Sequence, residues 1–174
     1  MVSFWDDSWN NIDAARLSKY IESFDMTSDK ITDFLLSCGA KKVCDAGCGC
    51  GIYSLKLATF GFDVSGFDIS AKAVEVAKQL LKISSVKANL KTADIVSTGY
   101  CNGWFDAVIS RDVIDHISKK DAVHALRELC RITKPGGNII ITLDRADDEY
   151  ESEPHTVNSD GDYIYAGGKW SGMF

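Results

Sequence analysis

The chain has 174 residues with 25 acidic and 19 basic side chains, a formal net charge of −6. That is long enough for one well-buried domain, and its sign works against general attraction to nucleic-acid phosphates or an anionic membrane. Apolar runs such as 138–143 are far shorter than the roughly 20 residues of a membrane span, and residues 1–7 lack a charged-then-apolar leader, so the expectation is a cytoplasmic protein with neither nucleic acid nor membrane as partner.

In chain order, Ile12, Leu17, Tyr20, Ile21 and Phe24 share one helical spacing, and Ile31, Phe34, Leu35 and Cys38 share a second. From Lys42 onward strands and helices alternate, the pattern of a mostly parallel sheet covered on both faces. Residues 42–46 read as the first strand, and a helix over 52–60 stops at Gly61. Residues 62–68 form the second strand. Ser70 is placed to cap a helix whose Val74, Ala77, Leu80 and Leu81 share a face, and a third strand is expected over 86–93. Residues 105–110 read as the fourth strand. Ser118 and Asp121 have capping-box spacing ahead of Ala122, Ala125, Leu126, Leu129 and Cys130, and Lys134-Pro-Gly-Gly137 ends that helix. Residues 138–143 are apolar nearly throughout, as in a strand covered on both faces. Residues 147–162 read as an acidic loop containing a solvated His155. Short strands at 163–166 and 170–174 flank a Gly167-Gly168 turn.

Six cysteines stand at 38, 44, 48, 50, 101 and 130. At least three fall in strand or helix segments among apolar neighbours, which is how small buried residues behave. Cys44, Cys48 and Cys50 are close together, but no second ligand pair follows at zinc-like spacing, so no metal is expected.

The stretch Val43-Cys-Asp-Ala-Gly-Cys-Gly-Cys-Gly51 reads as a strand feeding a glycine loop that opens a helix, a backbone that a nucleotide-like ligand can approach closely. Asp45, two residues before Gly47, would face that loop at the strand's C-terminal tip, where open α/β sheets bind ligands. A carboxylate there repels a pyrophosphate, and Ile52 stands where a dinucleotide fingerprint requires Gly or Ala. A cationic, phosphate-free ligand fits better.

With these residues the chain resembles the class I S-adenosylmethionine-dependent methyltransferases over about residues 30 to 144. The resemblance is carried jointly by residues 43–51, by Asp68-Ile69, Ala93-Asp94-Ile95, Phe105–Ser110 and Val113–Ile117, and by the Leu126–Gly137 segment. It implies a Rossmann-like doubly wound fold, with C-terminal strands short of the usual set. Residues 1–39 would form a helical lid or cap, 40–144 the cofactor-binding core, and 145–174 the acidic loop and final strands. It implies S-adenosylmethionine as cofactor and S-adenosylhomocysteine as product. Asp45, Ala46, Gly47, Cys48 and Gly49 would form the loop, Asp68 would grip the ribose hydroxyls, and Ile69 would pack on adenine. Asp94 would meet the adenine amino group, the Ile95 backbone a ring nitrogen, and the Arg111 backbone the methionine end.

His116 could serve as a general base or be a structural histidine, and the plainer readings of Asp45 as a helix cap and of Asp68 and Asp94 as turn acids stay open. Trp5, Trp9, Asn10 and Tyr20 are lid candidates or simple packing residues. The expected activity is in-line methyl transfer to a small-molecule acceptor. Its rivals are a non-catalytic cofactor-binding partner or sensor, a protein methyltransferase and an NAD-dependent oxidoreductase. If the fifth strand lies at a sheet edge, Tyr163–Phe174 or a second copy in a homodimer is expected to cover it.

Overall fold

Strand β1 (Lys42–Ala46) shows how the sequence pattern becomes layers. Val43 packs with Leu35, Leu57 and Val64 on one face, whereas Cys44 and Ala46 pack with Phe105, Val108 and Leu129 on the other. Alternate residues of a strand point to opposite faces, so a strand covered on both sides must be apolar at nearly every position. The computed structural model describes residues 2–10, 12, 17, 19, 21, 24–143, 155–165 and 170–171.

Around β1 lie β2 (Asp63–Asp68), β3 (Asn89–Thr92), β4 (Phe105–Arg111) and β5 (Thr133–Thr142), in the order β3-β2-β1-β4-β5 with every neighbouring pair parallel. The described helices are α1 (Val2–Trp9), α2 (Lys30–Ser37), α3 (Ile52–Thr59), α4 (Ala71–Ile83) and α5 (Lys119–Ile132). Three start on side-chain caps that satisfy first-turn N–H groups. Asp29 accepts from Thr32 N at 2.8 Å, Ser70 from Ala73 N at 3.0 Å and Ser118 from Asp121 N at 3.1 Å. No helix among the described residues is long and apolar enough to cross a membrane.

Several expectations are corrected. Strand β3 starts at Asn89 rather than 86, because Ser85 has φ 56° and Val86 N still donates to Leu81 O at 3.0 Å, so the chain is leaving α4 there. On α5 the buried stripe is Ala122, Ala125, Leu129 and Ile132, while Leu126 and Cys130 are exposed. A rotation of about 100° per residue carries those two off the face that meets the sheet. Glu128 is buried there instead, accepting from Thr98 N and Oγ1 and from Arg131, which holds its carboxyl down at about 2. Strand β5 is half-buried rather than covered on both faces, and among the described residues only β4 pairs with it.

The C-terminal strands do not fill that edge. The segments β6 (His155–Val157), β7 (Tyr163–Tyr165) and β8 (Trp170–Ser171) form an antiparallel sheet of their own, which takes His155 out of the expected loop. Its turn docks on α5 through the buried Asp162, whose Oδ1 accepts from Lys119 N at 3.0 Å. Tyr20 and the Gly167-Gly168 turn lie outside the described residues, and α1 lies in the 1–39 region expected to be helical, ahead of the residues whose spacing marked a helix.

Candidate functional site

The connection from β1 leads toward β2 and β3, and the chain returns to place β4 on the other side of β1. The crevice outside the strand ends at such a reversal is where an open α/β sheet takes a ligand. A cavity of about 520 Å³ opens there. Of the residues expected from sequence, Gly47, Gly49, Asp68, Ile69, Asp94, Ile95, Arg111 and His116 line it, whereas Asp45, Ala46 and Cys48 do not.

The glycine loop is drawn tight against β2. Gly47 and Gly49 have φ of 79° and 50°, and a Cβ at Gly47 would run into the Val113 side chain. Gly47 N and Cys48 N both donate to Phe67 O, at 2.8 and 2.9 Å, and Gly49 N donates to Asp68 Oδ2 at 2.8 Å. These three N–H groups are therefore committed inside the protein. A phosphate needs such donors aimed outward, so the loop offers backbone proximity without an anion cradle.

Asp68 is the hinge of this arrangement. Its Oδ1 accepts from Ser70 N at 2.9 Å while Oδ2 holds Gly49, so the same carboxylate starts α4 and fixes the loop. Burial raises its carboxyl above the ordinary carboxylate range despite these two bonds. Asp45 behaves differently from expectation. It is 2% exposed, and its Oδ2 accepts the Ser54 hydroxyl at 2.6 Å, so its acid turns toward α3 rather than to the cavity. Asp45 shares a strand face with Val43, the face that α3 covers, and alternation dictates that direction. Desolvation pushes its carboxyl up to about 6, with the Ser54 bond and Arg111 pulling the other way.

At the far wall, Asp94 is exposed and accepts from Val96 N at 3.0 Å in a tight turn, with the buried Ile95 beside it. Asp112 has φ 53°, unusual for a side-chain-bearing residue. It is held by the Thr142 hydroxyl donating to its Oδ1 at 2.7 Å and by its own N donating to Thr142 O at 3.1 Å. That turn leads into a 3₁₀ segment, Ile114–His116. His116 is mostly buried, its Nδ1 has no hydrogen-bond partner among the described residues, and its ring meets Trp5 edge-on with centroids 5.4 Å apart.

Sequence reasoning left several lining residues unassigned: Phe67, Val113, Ile117, Asp112 and Asp121. Phe67 was legible as the neighbour of Asp68, and Val113 and Ile117 as apolar residues four apart that bracket His116. Trp5 and Trp9, raised as lid candidates, also line the cavity, brought there by α1. Their four-residue spacing puts both rings on one helix face. Asp6 latches that helix at the start of α4, where its Oδ1 accepts from Ser70 Oγ at 2.6 Å and Lys72 N at 3.3 Å. Asn10 instead bonds Asp7 at the surface.

A fold of this topology with a glycine loop that offers no phosphate cradle narrows the family, and comparison with known proteins decides it. The methyltransferase-domain family model matches residues 43–137. The chain belongs to that family. Within these methyltransferases, the ubiquinone biosynthesis O-methyltransferase of Dechloromonas aromatica is 32% identical over 120 residues, 68% of this chain and 51% of that protein. Phosphoethanolamine N-methyltransferase 3 of Arabidopsis thaliana is 31% identical over 135 residues, 77% of this chain and 26% of that protein. The chain thus spans about half of the first relative and a quarter of the second. The crystal structure of the magnesium protoporphyrin IX methyltransferase of Synechocystis with bound SAH superposes with a TM-score of 0.53 at 29% identity, covering 66% of this chain and 51% of that one.

Proposed function

We propose that this chain binds S-adenosylmethionine in the cavity at the ends of β1, β2 and β4 and methylates a small-molecule acceptor. The observation that carries the reading is Asp68. A carboxylate offers about four acceptor positions; the backbone N–H groups of Gly49, Ser70 and Ile69 act on Asp68, and the remaining capacity at the cavity wall suits a ribose hydroxyl. The residues around it suit the rest of such a ligand. Phe67, Ile69 and Ile95 supply apolar contact for adenine, Asp94 supplies an acceptor for its amino group, and Gly47 and Gly49 allow the chain to come close to the amino-acid end. A phosphate-bearing dinucleotide finds no donor on Gly47–Gly49.

When bound, S-adenosylmethionine supplies a methyl group already activated on a positively charged sulfur. The protein's part is then alignment and exclusion of water. Trp5 and Trp9 wall the cavity with apolar area. His116 lines the cavity and is the candidate group to take a proton from an acceptor hydroxyl or amine. The relatives whose names specify O- and N-methylation fit this reading equally, because either acceptor has a proton to shed.

Two measurements test the proposal. Titration calorimetry is expected to show micromolar binding of S-adenosylhomocysteine, and no heat at millimolar ligand overturns it. His116→Gln is expected to lose about 10²–10⁴-fold in kcat against a panel of catechols and primary amines while S-adenosylhomocysteine still binds. Undiminished turnover removes His116 from the chemistry.

A further inference from the structure

We propose that the Arg111 guanidinium, stacked on the ring of Tyr53, is the site in this cavity that receives the ligand's carboxylate. The inference rests on the S-adenosylmethionine reading and goes beyond it by giving the Arg111 side chain, rather than its backbone, a ligand group to recognise.

The charges of the cavity impose the choice. Its described lining includes four aspartates, Asp68, Asp94, Asp112 and Asp121, and Arg111 is the one permanent cation among them. The amino-acid end of S-adenosylmethionine carries a carboxylate. Beside any of the four acids it would be repelled, and with the loop N–H groups bound to Phe67 and Asp68 the backbone there does not compensate it.

The geometry leaves the guanidinium available. Its Cζ lies 4.2 Å from the Tyr53 ring centroid, a contact that occupies a face of the planar group and leaves N–H edges for a bidentate partner. Among the described residues no carboxylate lies within ion-pair distance of it. Asp45 attracts it from below the cavity floor, but that carboxylate is bonded to Ser54.

The platform is itself built. The Tyr53 hydroxyl reaches both Asp29 oxygens, at 3.2 and 3.3 Å, and Asp29 pairs at 3.0 Å with Lys56, whose side chain is 5% exposed. Asp29 also caps α2. A buried lysine far from the cavity thereby acquires a purpose, because the pair fixes the Tyr53 ring and the ring fixes the guanidinium. Tyr53 is thus a positioning residue, and Arg111 the group that touches the ligand.

Calorimetry with two ligands tests this. S-adenosylhomocysteine carries the amino acid, and 5′-methylthioadenosine lacks it. Arg111→Gln is expected to weaken S-adenosylhomocysteine by about 10- to 100-fold, the loss of a charge-assisted pair, with 5′-methylthioadenosine binding unchanged. Tyr53→Leu is expected to move in the same direction by less, again on S-adenosylhomocysteine alone, and Tyr53→Phe, which keeps the ring, by less still. Equal losses for both ligands in Arg111→Gln, or undiminished S-adenosylhomocysteine binding, overturn the assignment while leaving the cofactor reading intact. A wild-type chain that binds neither ligand overturns both.

Discussion

Replacing Asp68 by alanine is expected to weaken S-adenosylhomocysteine binding by at least about 100-fold and to cost about 1–3 kcal/mol of stability. The two effects have different origins. Stability falls because Gly49 N and Ser70 N lose their acceptor, although part of that loss is returned by no longer burying a charge. Affinity falls further, because the ribose loses hydrogen bonding to an ionised group and Gly49 loses its tie to the end of β2. Asp68→Asn separates the two: its single carbonyl oxygen can hold one of the N–H groups, so its melting temperature should stay closer to wild type than that of the alanine variant. Binding should still be weakened at least about tenfold. If Asp68→Asn binds S-adenosylhomocysteine as wild type does, Asp68 is a turn acid and the proposed site loses its anchor.

Asp45→Asn is expected to stabilise the protein by up to about 3 kcal/mol at pH 8, an increase in melting temperature of about 6–12 °C. The carboxyl titrates at about 6 in the folded chain against 3.8 as its ordinary value. Below about pH 4 it is protonated in both states and costs nothing. Between about pH 4 and 6 the unfolded chain releases the proton while the folded chain holds it, so stability falls as pH rises, and above 6 the full penalty is in place. Asparagine keeps an oxygen for the Ser54 hydroxyl and has no charge to bury, so the gap between variant and wild type should open across this window and close below about pH 4. Chemical denaturation at several pH values reads it directly, and a gap that does not vary with pH refutes the assignment. The penalty is consistent with the negative charge being kept for its attraction to Arg111.

Much of the architecture was legible from local pattern. The alternation of strands and helices, the bounds of β1, and the Ser70 and Ser118 caps all come from residues within a few positions of one another. So do the glycine loop and the acids that end β2 and follow β3. Where local reading failed, a distant partner intervened. Strand β5 has the apolar composition of a central strand, yet it lies at an edge of the five-stranded sheet, and composition does not say how many neighbours a strand has. The acidic segment expected as loop contributes β6 because β7 pairs with it.

The candidate site divides along the same line. By itself the sequence determined the family motif, the residue types available to the ligand and the positions of Gly47, Gly49, Asp68 and Asp94 at strand ends. Periodicity and turn chemistry act over short distances and are written in neighbouring residues. Only the tertiary structure decided that Asp45 turns to Ser54, that Gly47 and Cys48 give their N–H groups to Phe67, and that Trp5 meets His116. It also decided that Arg111 lies on a ring anchored by Asp29 and Lys56. Side chains far apart in the chain are brought together by packing and by the need to satisfy buried polar groups, and no local window of sequence contains both partners.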